Sequence, residues 1–192
     1  MHKTVVCPPI SGTAAVPRET VICPKLLVAL VYIRLFQASP ALFMDIIFRD
    51  YQAIDYLSWR ALWLDYTEPT AAHLTEDLHQ HTFARVRDGE DALHGVIAWT
   101  DRPVGFAHYY FHPSSYSIHN ICTLEDIYVC ATARCQGVAR ALIGLVAARA
   151  AAARAPVLNW KTRETNASAQ SLYDSLAVRT GFIAYQMALP LR

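Results

Sequence analysis

The chain has 192 residues, 54% of them hydrophobic and 17% charged, with a formal net charge of +1. That length suits one globular domain with a sizeable core, and the balanced charge excludes the basic footprint of a nucleic-acid binder and the cationic patch of a membrane-surface protein. Five cysteines, Cys7, Cys23, Cys122, Cys130 and Cys135, form neither a C-x-x-C pair nor an even framework, which fits a reducing, cytoplasmic setting.

Residues 1–43 differ from the rest of the chain, with four prolines and little helical period before the apolar run Leu26 to Ile33. Arg34 interrupts that run far short of the roughly 20 apolar residues a membrane span needs, and Ala38-Ser39-Pro40 is a poor signal-peptide cleavage site. The segment carries a net +3 against −2 for the remainder, so the body of the chain leans towards cationic substrates. We expect residues 1–43 to be disordered or a spurious upstream extension, with one domain over 44–192 beginning at Met44.

Asp45 to Asp50 reads as a first strand. Ile54, Leu57, Ala61 and Leu62 then fall at helical spacing and predict a helix from Tyr51 to Tyr66. Glu68-Pro69-Thr70 breaks the chain, and Thr75 caps a second helix with Glu76 and Asp77 in its first turn, running towards Arg87. After the turn at Asp88 to Asp91, Leu93 to Thr100 and Val104 to Phe111 read as strands joined by Asp101-Arg102-Pro103. A polar loop over His112 to Asn120 leads into a strand from Ile121 to Val129.

The stretch that carries chemistry begins inside that strand. Leu124-Glu125-Asp126-Ile127-Tyr128-Val129 ends it, and Arg134-Cys135-Gln136-Gly137-Val138-Ala139-Arg140 opens a helix. A helix N-terminus presents unpaired N–H groups and a partial positive charge. With Gly137 at the entry and Arg134 and Arg140 beside it, the pattern is either a phosphate cradle or an ordinary strand-to-helix turn with surface arginines. The alanine-rich tract continues the helix to Arg154, and Pro156 ends it. Val157 to Thr162 reads as a strand. Thr165 or Asn166 starts a helix with Ala169, Leu172, Tyr173 and Leu176 that stops near Gly181, and Phe182 to Leu189 is a closing strand. Cys122, Cys130 and Cys135 lack zinc-ligand spacing, and none of the eight histidines lies in an H-E-x-x-H pattern, so no metal is expected. The order predicts an α/β chain with a mixed sheet and helices on its faces.

Across residues 45 to 190 the chain resembles the GNAT superfamily of N-acetyltransferases. Val104 to Phe111 followed by Leu124 to Val129 is similar to diamine (spermidine/spermine) acetyltransferases. Arg134 to Ala139 resembles the superfamily's [QR]-x-x-G-x-[GA] coenzyme A loop, and Asn166 to Tyr173 its N-x-x-A-x-x-L/F-Y helix. Trp160-Lys161-Thr162 with Phe182 to Tyr185 is similar to the fungal histone and D-amino-acid acetyltransferase subgroup. The resemblance implies a central mixed, mostly antiparallel sheet with splayed middle strands and helices on both faces. It also implies acetyl-CoA as co-substrate, a small-molecule amine as acceptor, and a homodimer, which is usual among relatives.

It further implies where the chemistry lies. Arg134, Cys135, Gln136, Gly137, Val138, Ala139 and Arg140 would hold the diphosphate. Ile127, Tyr128 and Val129 would pair their backbone with pantetheine amides in a gap beside the next strand. The Val129 N–H would donate to the thioester oxygen. A free alkylamine has a pKa near ~10.4 and must shed a proton before attack; Glu125 is the candidate base and Asp126 the candidate anchor for a cationic substrate. Strand alternation sets those two carboxylates on opposite sheet faces unless a bulge intervenes. Tyr173, a neutral donor, would protonate the leaving thiolate, although helical spacing alone also allows a packing aromatic. Asn166 would cap its helix, contact coenzyme, or both. Asp65, Glu68, Glu76 and Asp77 fall where relatives build the acceptor wall. Cys135 and Ala139 stand where the family loop commonly has glycine. The favoured acceptor is a polyamine or amino acid; the alternatives are peptide or protein lysines, or a non-catalytic coenzyme-binding module.

Overall fold

The structure is a computed structural model that describes residues 46–68, 74–187 and 189. The expected boundary at Met44, and the segment before it, lie outside these residues. The main elements are β1 (Ile47–Arg49), α1 (Tyr56–Thr67), α2 (Glu76–Asp88), β2 (Leu93–Trp99), β3 (Pro103–Ser114), β4 (Ser117–Val129), α3 (Val138–Ala152), β5 (Leu158–Asn159) and α4 (Ala167–Asp174). The five strands form one sheet in sequence order. Its first three pairings are antiparallel, and β4 with β5 is parallel, so the sheet is mixed.

Alternation along the strands builds two cores, one on each face. Phe106 and Ile97 turn towards α1 and α2, where they meet Trp59, Leu62, Phe83 and Val86. Ala107, Tyr109, Leu124 and Val129 turn the other way, onto Val138, Ala141, Leu142 and Val146 of α3. Those α3 positions recur at three- and four-residue steps, the apolar stripe that buries one side of a helix. Thr75 caps α2 as expected, its hydroxyl accepting from the Leu78 N–H at 3.3 Å.

Four expectations change. The polar run His112 to Asn120 is not a loop: β3 and β4 continue as one hairpin, paired at His112↔Ile121 and closing at Ser114↔Ser117. Backbone pairing with the partner strand carries the ladder past the core, which leaves Tyr116 and Ile118 almost fully exposed. At the other end, α4 stops at Asp174, where the Ser175 hydroxyl donates to the Leu172 carbonyl at 2.6 Å. Arg179 folds back onto Asp174 and Gln170, so the helix does not reach Gly181. Residues 181–187 form no strand, and Phe182, Ile183, Tyr185 and Met187 stand exposed. The strand expected over 157–162 is likewise only Leu158–Asn159.

Candidate active site

The register between β3 and β4 slips once beside the site. Tyr109 pairs with Leu124 and His108 with Asp126, which leaves Glu125 without a partner on β3. This is a β-bulge, and it changes which way the carboxylates face. Leu124 packs into the α3 core, so alternation turns Glu125 to the α1 side. Ile127 also packs against the α3 core, so counting back turns Asp126 to the α1 side as well. The bulge that could bring the two carboxylates to one face is present.

Asp126 is held there by two donors. The Tyr66 hydroxyl, from the last turn of α1, donates to Oδ1 at 2.8 Å. His108 Nδ1 lies 3.0 Å from Oδ2, and the Tyr51 hydroxyl lies 3.0 Å from His108 Nε2. His108 and Tyr51 are buried, and Asp126 keeps a fifth of its side chain in solvent. Burial, followed by the charge and hydrogen bond of Asp126, pushes the Tyr66 phenol well above its ordinary value; the charge of Glu125 pushes it the same way. No local pattern singles out Tyr66, His108 or Tyr51. Tyr66 is 60 residues from Asp126 and His108 is 18; the β3–β4 register sets His108 opposite Asp126, and the packing of α1 on the sheet brings Tyr66 to it.

On the other edge of β4 the strands part. The Cys122 N–H donates to the Val157 carbonyl at 3.1 Å, and the β4–β5 ladder covers only Cys122↔Leu158 and Thr123↔Asn159. Beyond it the Cys130 N–H bonds to the Val104 carbonyl on the β3 side at 2.9 Å. In an antiparallel ladder neighbouring residues point their N–H groups to opposite sides, so the Ile127 and Val129 N–H groups face the gap beside β5. The Val129 carbonyl accepts from Arg134 Nε at 3.0 Å. Gly105 is required opposite, because a Cβ there would lie 2.7 Å from the Tyr128 carbonyl oxygen.

The loop after β4 fits an anion. Cys135 has φ +59 and Gly137 φ +82, and α3 begins at Val138. The first intrahelical bond runs from the Ala141 N–H to the Gly137 carbonyl at 3.0 Å, so the N–H groups of Val138, Ala139 and Arg140 have no partner within the helix. Arg140 reaches the Ser175 hydroxyl at 2.8 Å and ties this end of α3 to α4. Gln136 donates to the Thr132 carbonyl at 2.9 Å. The positive φ at Cys135 is a left-handed conformation that costs a residue with a Cβ roughly 1 kcal/mol. Cys135→Gly relieves that strain, and the gain, less the entropy that glycine adds to the unfolded chain, is expected to raise stability by about 0.5 kcal/mol, read by thermal melting.

Asn166 caps α4, its Oδ1 accepting from the Ala169 N–H at 3.3 Å. Tyr173 projects from that helix to the margin of the α3 core, its ring edge-on to Trp160 at 5.5 Å between centroids. Burial holds its phenol above the usual value, so it stays protonated and able to donate. Of the residues proposed for an acceptor wall, Glu76 is engaged elsewhere: its carboxylate accepts from Arg60 Nε at 2.8 Å and from the Tyr56 hydroxyl, joining α1 to α2. Among the described residues no cluster of three or more His, Cys, Asp or Glu could hold a metal ion, and no helix is long and apolar enough to cross a membrane.

Comparisons with known proteins bear on the family and the fold. The sequence model of the acetyltransferase (GNAT) family matches residues 52–177. The chain is 33% identical over 135 residues to the D-amino-acid N-acetyltransferase HPA3 of Saccharomyces cerevisiae, covering 69% of this chain and 84% of that protein. The fold is similar to a ribosomal-protein-alanine N-acetyltransferase from Brucella melitensis biovar Abortus, with TM-score 0.64 and 19% identity over 75% of this chain and 99% of that one. It is also similar to an aminoglycoside N-acetyltransferase in complex with CoA, with TM-score 0.61 and 21% identity over 81% of this chain and 98% of that one.

Proposed function

Because the chain belongs to the acetyltransferase (GNAT) family, we propose that it moves the acetyl group of acetyl-CoA onto the primary amine of a small cationic acceptor, a polyamine or an amino acid. The observation that carries the choice of acceptor is the bulge at Glu125, which turns two carboxylates to the face opposite the α3 core. A site so charged favours a cation and repels an anionic acceptor.

In this reading the diphosphate rests on the N–H groups ahead of Ala141, beside Arg134 and Arg140, and the pantetheine arm enters the gap between β4 and β5. Asn166 holds the start of α4 against the coenzyme. Glu125, the more exposed carboxylate, takes the proton of the incoming ammonium directly or through water. The neutral nitrogen then attacks the thioester carbon. Negative charge grows on the carbonyl oxygen, where the Val129 N–H donates. The carbon–sulfur bond breaks, Tyr173 gives its proton to the departing thiolate, and the proton that the newly acylated nitrogen must shed restores the phenol, directly or through water.

The reading includes a homodimer and a cytoplasmic location. A second copy would cover the exposed apolar residues between Val178 and Met187, and the free thiols Cys122, Cys130 and Cys135 suit a reducing compartment. The test is a panel of polyamines, L- and D-amino acids and lysine peptides with acetyl-CoA. We expect kcat/KM for diamines or basic amino acids at least tenfold above that for peptide lysines. Acetylation of peptides alone, or of nothing, overturns the assignment.

A further inference from the structure

The pair behind Asp126 has no place in the transfer steps above, yet the fold spends buried space on it. His108 lies on β3 with 1% of its side chain exposed, inside a box of rings. The Phe106 centroid is 4.8 Å from it, Trp63 5.5 Å, Tyr51 5.8 Å and Trp59 6.2 Å. An imidazole in such surroundings is costly unless both nitrogens are paired, and a leucine would fill the space without that need. Both nitrogens are paired. A carboxylate only accepts, so His108 Nδ1 carries the hydrogen shared with Asp126; in the neutral ring Nε2 then accepts from the Tyr51 hydroxyl.

The consequence falls on Asp126. Each of its oxygens takes one inward hydrogen bond, from Tyr66 on Oδ1 and from His108 on Oδ2. The plane of the carboxylate is thereby fixed, and the second lone pair of each oxygen is left for a group arriving from the solvent side. We infer that Tyr51 and His108 are positioning residues for Asp126, and that Asp126 so held takes a second cationic group of the acceptor, separate from the nitrogen that is acetylated. A grip that lasts through the attack needs a second cation, because the attacking nitrogen arrives as an ammonium but is neutral by then. The inference rests on the acetyl-transfer reading and deepens it: the acceptor is a diamine or a basic amino acid rather than a simple amine. Outer partners that fix a metal-ligating side chain typically affect binding by about ten- to a hundredfold, and a carboxylate fixed to grip an ammonium is the counterpart here.

The test is the ratio of kcat/KM for a straight-chain diamine to that for the monoamine of the same length, at saturating acetyl-CoA. This ratio belongs to the folded fraction alone, so partial loss of folded protein does not disturb it. The wild-type chain is expected to favour the diamine. His108→Leu is expected to lower the ratio about tenfold with the KM for acetyl-CoA unchanged. His108→Asn, which keeps an N–H donor near the place of Nδ1, is expected to restore most of it. Tyr51→Phe, which removes one oxygen, is expected to lower it severalfold. An unchanged ratio in either Tyr51→Phe or His108→Leu overturns the inference, as does a parallel rise in the KM for acetyl-CoA. A wild-type chain that acetylates both amines equally overturns the inference alone, whereas one that acetylates no amine overturns the acetyl-transfer reading beneath it.

Discussion

Tyr173→Phe is expected to lower kcat by a hundredfold or more, the usual scale for losing a positioned acid, while coenzyme A binds as tightly as before. The substitution removes one oxygen from a ring that packs edge-on to Trp160 and leaves the packing in place. A residue present only for packing would tolerate it with little change in rate. Burial raises the phenol above its ordinary value near 10, so the proton is still held where a solvent-exposed tyrosine is half ionised. The alkaline limb of the rate profile therefore should not fall through loss of this proton below about pH 10. Steady-state kinetics beside coenzyme titration separates the two effects. Full turnover in Tyr173→Phe would remove the tyrosine from the mechanism.

The sequence exposes those parts of the site that are continuous in the chain. The strand Leu124 to Val129, the turn through Gly137 and the helix carrying Asn166 and Tyr173 each have a local pattern, because backbone shape and capping are set by neighbours. The structure places each on the element expected. What the pattern does not show is the slip at Glu125. A bulge adds one residue against a partner strand, and nothing in Leu124-Glu125-Asp126-Ile127 marks it when alternation is counted in isolation. Tyr66, His108 and Tyr51 are hidden for a like reason: His108 meets Asp126 only through the slipped register, and Tyr51 and Tyr66 reach the pair only once the chain around α1 lies on the sheet. The closing strand expected over Phe182 to Leu189 does not form among the described residues. The alternation of Ile183, Tyr185 and Met187 is real, but a strand needs a partner edge, and this segment finds none there.

Asp55→Ala is expected to cost about 3 kcal/mol of stability, because it strips the partner from a charged group while leaving the other half of the pair behind. Asp55 is almost fully buried, and its carboxylate grips Arg49 with both oxygens, at 2.6 and 2.8 Å. It also accepts from the Gln52 N–H at 2.7 Å and so closes the turn that leads into α1. Burial alone would raise its pKa, but the hydrogen bonds from Arg49 and Gln52 and the Arg49 charge outweigh it and hold it below the usual value. A depressed carboxyl contributes stability above its unfolded value near ~4, and that contribution is lost as pH falls through the lower folded value. Denaturant midpoints measured from pH 6 downwards should therefore decline less in Asp55→Asn than in the wild-type chain. The same substitution should reach the site as well. The turn that Asp55 closes aims the helix carrying Trp59, Trp63 and Tyr66, and Tyr66 is the donor on Asp126 Oδ1. At a pH where the variant is still folded, the KM for the amine should rise while that for acetyl-CoA stays level, because the loop at Gly137 and the gap beside β5 lie on other elements. Equal changes in both constants would show that the Arg49–Asp55 pair supports the fold at large rather than the acceptor side of it.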